Sequence, residues 1–320
     1  MTAPLEPKSL LKISSVKKGA GISVIAPAAS AKLERAEQGM RRLRALGFPP
    51  SLGHNALQKG PLYFAGTRAQ RLNDLHEAFA DPNTRVVACL RGGYGSNYLL
   101  DGLDLDLIRR HPKPLFGYSD LTGIQLRLLD YVGLPAFHGP MVAADFSKEN
   151  GVHLPSFQSA LSGQPYSLGA AEGLRVLKYG EAQGTARGIL YGGCLSILVS
   201  LLGTPYEPQT EGKLLFLEDT GAKPYQIDRM LWQLRQAGKL AGVRGIVFGE
   251  MLDCASPGAS PDLLEEVILH VFQDLDGPIA IGLRSGHVSR QNVTLTFGVE
   301  AELSVSNEPM LNLLEPAVAR

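Results

Sequence analysis

The chain has 320 residues, more than a single hydrophobic core usually supports, so two domains are expected. Hydrophobic residues make up 44% of it and charged residues 19%, a composition typical of globular rather than disordered proteins. Lysine plus arginine and aspartate plus glutamate each number 31, and this balance, without a basic run, argues against a nucleic-acid partner.

The first half of the chain alternates short apolar strands with amphipathic helices. Ser30 is positioned to cap the first helix, whose apolar residues recur at helical spacing. The predicted strands are Gly21–Ala26, Arg85–Leu90, Leu115–Tyr118 and Leu134–Phe137, and the predicted helices are Leu33–Leu46, Arg68–Ala80 and Leu121–Leu129. This alternation predicts an α/β fold with a parallel sheet covered on both faces.

In the second half the pattern first loosens, from about Asn150 to Gly184, where Gly, Pro and Ser are frequent. Beyond it we predict strands at Thr185–Tyr191, Lys213–Leu217, Val243–Phe248 and Ile279–Ile281, helices at Tyr225–Gln236 and Pro261–Phe272, and antiparallel strands at Asn292–Phe297 and Ala301–Val305. We therefore predict an amino-terminal domain over residues 1–165, a linker over 166–184 and a carboxy-terminal domain over 185–320.

The lack of a recognisable targeting signal and the spacing of the cysteines lead us to expect a cytoplasmic protein. The first twenty residues hold no apolar core of signal-peptide length, and no later apolar run reaches the length of a membrane span. The three cysteines, Cys89, Cys194 and Cys254, are far apart and have no metal-ligand spacing. We expect no membrane contact and no metal.

Ser119 lies in the segment Phe116-Gly-Tyr-Ser-Asp120, between a predicted strand and a predicted helix. Gly117 permits a sharp turn there, which would expose the serine hydroxyl at the carboxyl edge of the sheet, where ligands bind in open α/β folds. Leu121 stands where the full nucleophile-elbow motif has a glycine. The segment alone therefore leaves two interpretations, a nucleophile or a serine that caps the helix.

The segment Arg91-Gly-Gly-Tyr-Gly95 directly follows a predicted strand. Adjacent glycines let the backbone approach a ligand and direct N–H groups at it. The G-x-G-x-x-G spacing of dinucleotide-binding turns is absent. The segment is thus either a turn that binds an oxyanion or a carboxylate, or an ordinary glycine-rich connection.

Two further segments offer an acid and a base for acyl transfer. Glu218 follows the predicted strand Lys213–Leu217, and His287 lies between two predicted strands. His138 competes with His287, since it also follows a strand and precedes a glycine. Ser119, Glu218 and His287 would supply a nucleophile, an orienting acid and a base, although spacing does not show that they meet.

Together these segments resemble the LD-carboxypeptidase family, also called muramoyl-tetrapeptide carboxypeptidases. The matching blocks occur in the family's order over most of the chain, from Ile22 to about Leu303. They are Arg91-Gly-Gly-Tyr-Gly95, Gly117-Tyr-Ser-Asp-Leu-Thr122, His138-Gly-Pro140, Gly192-Gly193, Leu215-Phe-Leu-Glu-Asp-Thr-Gly-Ala-Lys-Pro-Tyr-Gln-Ile-Asp-Arg229 and Gly286-His287. The resemblance implies a Rossmann-like or flavodoxin-like parallel-sheet domain with the nucleophile, and a smaller carboxy-terminal α/β domain, partly β-barrel-like, with the acid and base.

Residue by residue, the resemblance makes Ser119 the nucleophile, Glu218 the triad acid and His287 the triad base. The N–H groups of Gly93 and Asp120 correspond to the oxyanion hole. The implied reaction is hydrolysis of the amide between the L-centre of meso-diaminopimelate and the terminal D-alanine of murein tetrapeptide, during cell-wall recycling. The family further implies a cytoplasmic homodimer without metal or other cofactor.

A carboxypeptidase must also recognise the terminal carboxylate of its substrate. Arg91 is our candidate for that role, because guanidinium groups pair well with carboxylates. Gly92 and Tyr94, its neighbours in the glycine turn, are further candidates for substrate binding.

The chain departs from the family pattern at two places. Family members commonly have Gly-Gly-Asn-Leu where this chain has Gly192-Gly-Cys-Leu195, so Cys194 replaces an amide that could bind substrate. The segment after His287 lacks the acidic residues often found there, and Thr296 stands where many members have proline. These departures bear on the choice of substrate more than on the chemistry.

Two other functions stay open. An immunity peptidase of the microcin C type would cleave a peptidyl-nucleotide and needs an aromatic platform for the base, yet Trp232 lies in a predicted helix, which favours a core position. A non-catalytic protein that binds wall peptides would use the same cleft. The presence of Ser119, Glu218 and His287 together argues against such a binding protein.

Overall fold

The computed structural model describes residues 9–180, 184–255, 258, 260, 262–305 and 308–319. The chain forms two compact units. The first comprises Met1–Gln164, Arg290–Gly298 and Pro316–Arg320, and the second comprises Pro165–Ser289 and Val299–Glu315. Two short segments near the carboxyl end thus return to the first unit.

The described residues contain these strands: β1 (Ile13–Ser14), β2 (Gly21–Ile25), β3 (Pro50–Leu52), β4 (Thr84–Cys89), β5 (Leu115–Gly117), β6 (Ala136–His138), β7 (Tyr166–Leu168), β8 (Arg175–Lys178), β9 (Thr185–Cys194), β10 (Lys213–Glu218), β11 (Gly245–Gly249), β12 (Ile279–Leu283), β13 (Leu295–Phe297), β14 (Glu300–Ser304), β15 (Met310–Leu313) and β16 (Val318–Ala319). The helices are α1 (Leu33–Ala45), α2 (Arg68–Ala80), α3 (Leu105–Arg110), α4 (Thr122–Val132), α5 (Leu154–Ser162), α6 (Leu195–Ser200), α7 (Pro224–Gln236) and α8 (Leu263–Val271).

The first unit is built on a six-stranded sheet in the order β13-β6-β5-β4-β2-β3. The five strands from β6 to β3 are parallel, and β13 joins the edge at β6 in antiparallel orientation. Strands β2 and β4 are buried along nearly their whole length, as expected where helices cover both faces of a parallel sheet. Their carboxyl ends, with those of β5 and β6, gather the candidate residues of this unit at one edge.

Local signals explain where the helices of the first unit begin and end. Thr67 caps α2 through a hydrogen bond from the Gln70 N–H, and the Gln70 side chain accepts from the Thr67 N–H in return. Helix α4 ends at Gly133, whose φ of 81° suits a left-handed cap. Helix α1 differs from the prediction, because Lys32 rather than Ser30 precedes its first turn, without a side-chain cap.

The second unit is built on an eight-stranded mixed sheet in the order β7-β15-β14-β9-β10-β11-β12-β8. Strands β9, β10, β11 and β12 are parallel, and antiparallel strands flank them on both sides. The α/β class is therefore confirmed, with a parallel-sheet amino-terminal domain and a separate sheet in the carboxy-terminal domain.

Two segments differ from what the sequence predicts. Residues 166–184, expected as a linker, contain β7 and β8, which are edge strands of the second sheet. They are short, and a three- or four-residue strand shows too little alternation to be recognised. Strands β13 and β14, expected as antiparallel strands, each pair antiparallel with a neighbour but lie in different sheets, because local alternation does not specify a partner.

Among the residues described, no helix has both the length and the apolar character that crossing a membrane requires.

Candidate active site

The first unit holds Ser119 in a strained backbone conformation. Its φ is 63°, in the left-handed region that non-glycine residues seldom occupy. Such strain costs about 1–3 kcal/mol and is concentrated at functional sites. Ser119 opens a 3₁₀ turn that continues into α4, and the residue before α4 is Leu121. Ser119 is therefore not the capping residue of α4, and its half-buried side chain suits a nucleophile.

Two glycines allow the chain to pack closely around this turn. A Cβ at Gly117 would lie 3.1 Å from Cγ of Leu121, so a side chain there would crowd the start of the helix. A Cβ at Gly92 would lie 3.0 Å from the Cβ of Ser119, 3.2 Å from its Oγ and 3.3 Å from the Asp120 nitrogen. The glycine turn after β4 and the Ser119 turn after β5 are thus in direct contact.

Hydrogen bonds fix the two turns to each other. The buried carboxylate of Asp120 accepts from the Ser96 N–H at 2.8 Å, and the Ser96 hydroxyl donates to the Asp120 carbonyl oxygen. Arg71, also buried, donates to the carbonyl oxygens of Gly95 and Pro27 at 2.7 and 2.8 Å. Neither Ser96 nor Arg71 was predicted as a site residue. Both act on the backbone, so no local motif marks them.

Burial affects the charged members of this network in opposite directions. It raises the pKa of the Asp120 carboxyl, although the hydrogen bonds from Ser96 and Gly95 and the charge of Arg71 oppose the shift. It lowers the pKa of the Arg71 guanidinium, against the attraction of Asp120. Each group thus partly offsets the desolvation of the other.

The remaining predicted residues of the glycine turn face solvent to different degrees. Arg91 and Gly93 are exposed and Gly92 is buried. Tyr94 is 41% exposed, and its ring packs against those of Tyr63 and Tyr98, with centroids 5.4 and 6.1 Å away. The φ of Gly93 is 104°, which requires glycine.

His138, the rival base, is fully buried in the first unit. Its ring packs between those of Tyr118 and Phe297, with centroids 6.0 and 5.3 Å away. Close by, the buried Asp145 carboxylate accepts from the Met141 N–H at 2.8 Å and faces the Tyr118 hydroxyl at 3.4 Å. Burial raises the pKa of Asp145 to about 6. His138 thus has the surroundings of a packing residue.

In the second unit, Glu218 and His287 form a close pair. Glu218 is fully buried at the end of β10, and its Oε2 accepts from Nδ1 of His287 at 2.8 Å and from the His287 backbone N–H at 3.0 Å. The His287 side chain is 21% exposed. The structure therefore brings the predicted acid and base together, with the imidazole still accessible.

Gly286 makes this pairing possible. Its φ is 90°, and a Cβ there would lie 2.6 Å from Cδ of Glu218, inside any tolerable contact distance. Only glycine lets the chain pass over the carboxylate at this point. Gly249 does the same from β11, since its Cβ would lie 2.6 Å from the Cβ of Glu218.

Cys194 adjoins the acid and base. It ends β9 opposite Glu218 in the parallel register, and one ligand atom from each of Cys194, Glu218 and His287 lies within 4.8 Å of the others. Burial, together with Glu218 and Asp219, raises the pKa of the Cys194 thiol well above its usual value. Sequence spacing gave no sign of this cluster, because sheet register rather than sequence proximity assembles it.

The Asp219 carboxylate has a structural role in the same region. It accepts hydrogen bonds from the backbone N–H groups of Ser196, in α6, and Thr220, both at 2.8 Å. An anion at a helix N-terminus is favoured by the unsatisfied N–H groups there.

Trp232 is not a core residue, contrary to the prediction. It lies on α7 and is 45% exposed, with the Arg235 guanidinium 5.6 Å from its ring. A helical position alone does not place a side chain in the core, because an amphipathic helix also has a face toward solvent.

Comparisons with known proteins agree with this architecture. The amino-terminal domain of LD-carboxypeptidases matches residues 22–139, and the carboxy-terminal domain matches residues 187–303. The chain is 36% identical over 298 residues to a probable murein peptide carboxypeptidase of Bacillus subtilis, covering 93% of this chain and 92% of that protein. This chain belongs to the LD-carboxypeptidase family. It is accordingly a serine carboxypeptidase, and the resemblance found in the sequence is confirmed.

Two further proteins bear on its relationships within the family. The chain is 32% identical over 295 residues to the murein tetrapeptide carboxypeptidase of Pseudomonas aeruginosa, covering 88% of this chain and 92% of that one. Its fold matches an MccF-like protein from Bacillus anthracis with a TM-score of 0.86 and 28% identity, covering 95% and 99% of the two chains. Murein peptidases and an MccF-like protein thus share this fold.

Proposed function

We propose that this LD-carboxypeptidase releases the terminal D-alanine from murein tetrapeptide, by attack of Ser119 on the carbonyl of meso-diaminopimelate. The observation that carries the proposal is the Glu218–His287 pair, which has the geometry of an acid that orients a base. The similarity to murein peptidases of two bacteria supports the substrate class. In this proposal the enzyme works in wall recycling in the cytoplasm, as a homodimer.

His287 acts as the general base in this mechanism. Its Nδ1–H donates to Glu218, so the neutral imidazole carries its lone pair on Nε2. That nitrogen takes the proton of the Ser119 hydroxyl as the oxygen attacks. Glu218 holds this tautomer and stabilises the imidazolium that forms, which then protonates the leaving amino group of D-alanine.

The backbone N–H groups of Gly93 and Asp120 stabilise the oxyanion. The contact between Gly92 and Ser119 supports this role, because it holds the glycine turn beside the nucleophile. One such donor is typically worth about 3–4 kcal/mol in kcat. The strained φ of Ser119 supports it as well, since a fixed turn needs no reorganisation during the reaction.

Hydrolysis of the acyl-enzyme completes the reaction. A water molecule transfers a proton to His287 and attacks the ester carbonyl, which regenerates the Ser119 hydroxyl. In our proposal Arg91 binds the terminal carboxylate of the substrate, and Gly92 and Tyr94 line the same subsite; the exposure of Arg91 is compatible with that role.

The decisive experiment uses L-Ala-γ-D-Glu-meso-diaminopimelate-D-Ala as substrate and measures free D-alanine. The same peptide ending in L-alanine is the matched control for the stereochemistry of the released residue. We expect release from the first peptide alone. Release of neither residue, from an enzyme that is folded, would overturn the proposed substrate.

The same assay separates the alternative functions. An immunity peptidase of the MccF type is compatible with the shared fold and with the half-exposed Trp232, and it would instead cleave a peptidyl-nucleotide. A pure binding protein would bind the tetrapeptide without release, and a fluorophosphonate probe would leave its Ser119 unlabelled. A higher kcat/KM for the peptidyl-nucleotide than for the tetrapeptide would assign the chain to the immunity branch.

A further inference from the structure

The end of the second sheet places a thiol, a carboxylate and an imidazole side by side. We propose that Cys194, Glu218 and His287 form a binding site for a thiophilic divalent cation of the Zn²⁺ class. A bound cation inhibits the peptidase, a consequence that rests on the proposed function.

The spacing of the three groups fits such a cation. Their ligand atoms lie within 4.8 Å of one another, and Nδ1 of His287 is 2.8 Å from Oε2 of Glu218. Zinc binds sulfur at about 2.3 Å and nitrogen or oxygen at about 2.0–2.2 Å, so tetrahedral ligands lie roughly 3.3–3.6 Å apart. The ion therefore fits if the distance between Nδ1 and Oε2 widens by well under an ångström and the longest of the three distances shortens by about one ångström.

The charges of the cluster also favour a dication. A thiolate and a carboxylate together neutralise a divalent ion, which makes it tolerable in a buried position. Glu218 is fully buried and Cys194 is 3% exposed. Oδ2 of Asp219, 3.9 Å from the Cys194 sulfur, adds further negative charge. The partly exposed His287 provides a side from which the ion can enter.

Binding displaces one proton to solvent and blocks the base. The thiol of Cys194 loses its proton as the sulfur–metal bond forms. Coordination through Nδ1 of His287 moves the imidazole proton to Nε2, and that nitrogen can then no longer accept the proton of a serine hydroxyl. Coordination through Nε2 would occupy the same lone pair directly. In either arrangement the acid–base function is lost until the ion leaves.

This site depends on the residue at position 194. The resemblance to the family implies asparagine at this position, where this chain has Cys194. An asparagine amide is a weak, neutral ligand and forms no thiolate bond, so it does not favour a soft cation. The parallel register of β9 and β10 places whatever residue occupies position 194 beside Glu218.

Cobalt binding tests the site without any use of peptidase activity. Co²⁺ replaces Zn²⁺ in such sites and gives a thiolate-to-cobalt absorption band in the near ultraviolet. We expect the wild-type protein to develop this band, to saturate at one ion per chain, and to lose the band when Zn²⁺ is added. Absence of the band would overturn the proposal whatever the substrate of the enzyme.

Matched variants assign the thiol. Cys194→Asn removes the thiol and keeps a polar side chain, and Cys194→Ser is a second variant in case the first folds poorly. Cys254→Ser is the control, because that buried thiol faces the carbonyl oxygens of Asp219 and Leu252 instead of the cluster. We expect both Cys194 variants to lose the band and Cys254→Ser to keep it. The reverse pattern would contradict the assignment.

Inhibition is then measured with Zn²⁺ and with Mg²⁺ as a hard-cation control, each variant being compared with its own metal-free rate. We expect Zn²⁺ to inhibit the wild type, Mg²⁺ to have no effect, and the Zn²⁺ inhibition constant to rise at least roughly 100-fold in Cys194→Asn. Chelator should leave the activity unchanged or raise it. Loss of activity in chelator with recovery in Zn²⁺ would refute both the inhibitory site and the serine mechanism.

Discussion

The two halves of the proposed catalytic machinery are stabilised in different ways. The Ser119 turn in the first unit depends on backbone conformation, with a φ of 63° held by packed glycines and hydrogen bonds. The Glu218–His287 pair in the second unit depends on charge, with a fully buried carboxylate that accepts two hydrogen bonds from one residue. The first region should therefore respond chiefly to steric changes. The second should respond chiefly to changes of charge or tautomer, although Gly286 makes it sensitive to added side chains as well.

The comparison also separates the two histidines. His138 ends a strand of the first unit and packs between aromatic rings, whereas His287 follows a strand of the second unit and contacts a carboxylate. Each lies next to a glycine in sequence, so the local motifs alone do not distinguish them. The resemblance to the family and the surroundings of each ring both favour His287 as the residue that transfers protons.

The largest effect is expected for Ser119→Ala. Loss of the nucleophile leaves only binding and the oxyanion donors, so kcat/KM should fall roughly 10⁴-fold or more. The side chain is half-buried, and the free energy of unfolding should change by less than about 1 kcal/mol. Both quantities are measured on the same preparation. A variant that keeps more than about a tenth of the wild-type kcat/KM would show that Ser119 is not the nucleophile.

Substitution of the two histidines tests the comparison directly. We expect His287→Ala to lower kcat roughly 10⁴-fold, because the base is removed, and also to lower the free energy of unfolding, because the buried Glu218 carboxylate loses one of its two hydrogen bonds. His138→Ala should lower the free energy of unfolding by about 2–4 kcal/mol, since it opens a cavity in a packed core. The decline of kcat/KM at acid pH, caused by protonation of the base, should be the same in His138→Ala as in the wild type. If His138→Ala were the inactive variant, the assignment of the base would be wrong.

The Glu218→Gln variant separates charge from geometry in the second region. A glutamine of the same size loses the negative charge and can present an N–H to Nδ1, which favours the wrong tautomer of His287. We expect kcat to fall about 10²- to 10⁴-fold, with KM nearly unchanged. A rise in KM of that size with an unchanged kcat would mean that Glu218 binds substrate and does not orient the base.

Gly92→Ala tests the steric nature of the first region. The φ of Gly92 is not in the left-handed region, so alanine is tolerated by the backbone, but its Cβ would lie 3.2 Å from the Ser119 hydroxyl oxygen. Displacement of the hydroxyl should lower kcat about 10- to 100-fold. The same variant should leave fluorophosphonate labelling detectable but slower. Wild-type kcat in this variant would mean that the glycine turn does not confine the nucleophile.

These two regions were not equally predictable from sequence. The strand, the turn and the helix around Ser119 follow from local residues, because a glycine and an apolar run specify them within a few positions. The pairing of Glu218 with His287 required the order of β10, β11 and β12 in the sheet, which is a long-range property. The resemblance to a family supplied that information in place of any physical rule.

The parts that sequence analysis missed have the same cause. Ser96 and Arg71 hold the turns through backbone atoms, and Cys194 joins Glu218 through sheet register. Residues 166–184 resembled a linker because β7 and β8 are short and at the sheet edges. In each case the decisive partner is distant along the chain, and no local pattern identifies it.

The smallest effect concerns stability, at Asp145 in the first unit. Burial raises the pKa of its carboxyl from the usual 3.8 to about 6. Between pH 3.8 and about pH 6, the Asp145 carboxyl is ionised in the unfolded chain but still protonated in the folded one. The contribution of Asp145 to stability is therefore greatest below the lower pKa and is lost as the pH rises to the higher pKa. The difference between these two pKa values corresponds to about 3 kcal/mol of unfolding free energy.

Asp145→Asn removes that titration and keeps an oxygen that can accept from the Met141 N–H. Urea unfolding of both proteins at about pH 4 and about pH 7 gives the comparison, since the first pH lies close to the lower pKa and the second lies above the higher one. From the lower to the higher pH, the wild type should lose about 2–3 kcal/mol of unfolding free energy more than the variant does. Asp145 contacts Tyr118, the neighbour of Ser119, yet kcat at neutral pH should change only a few-fold, because its carboxylate braces the turn and touches no reacting atom. Equal pH dependence in the two proteins would mean that Asp145 is ionised in the folded state throughout this range.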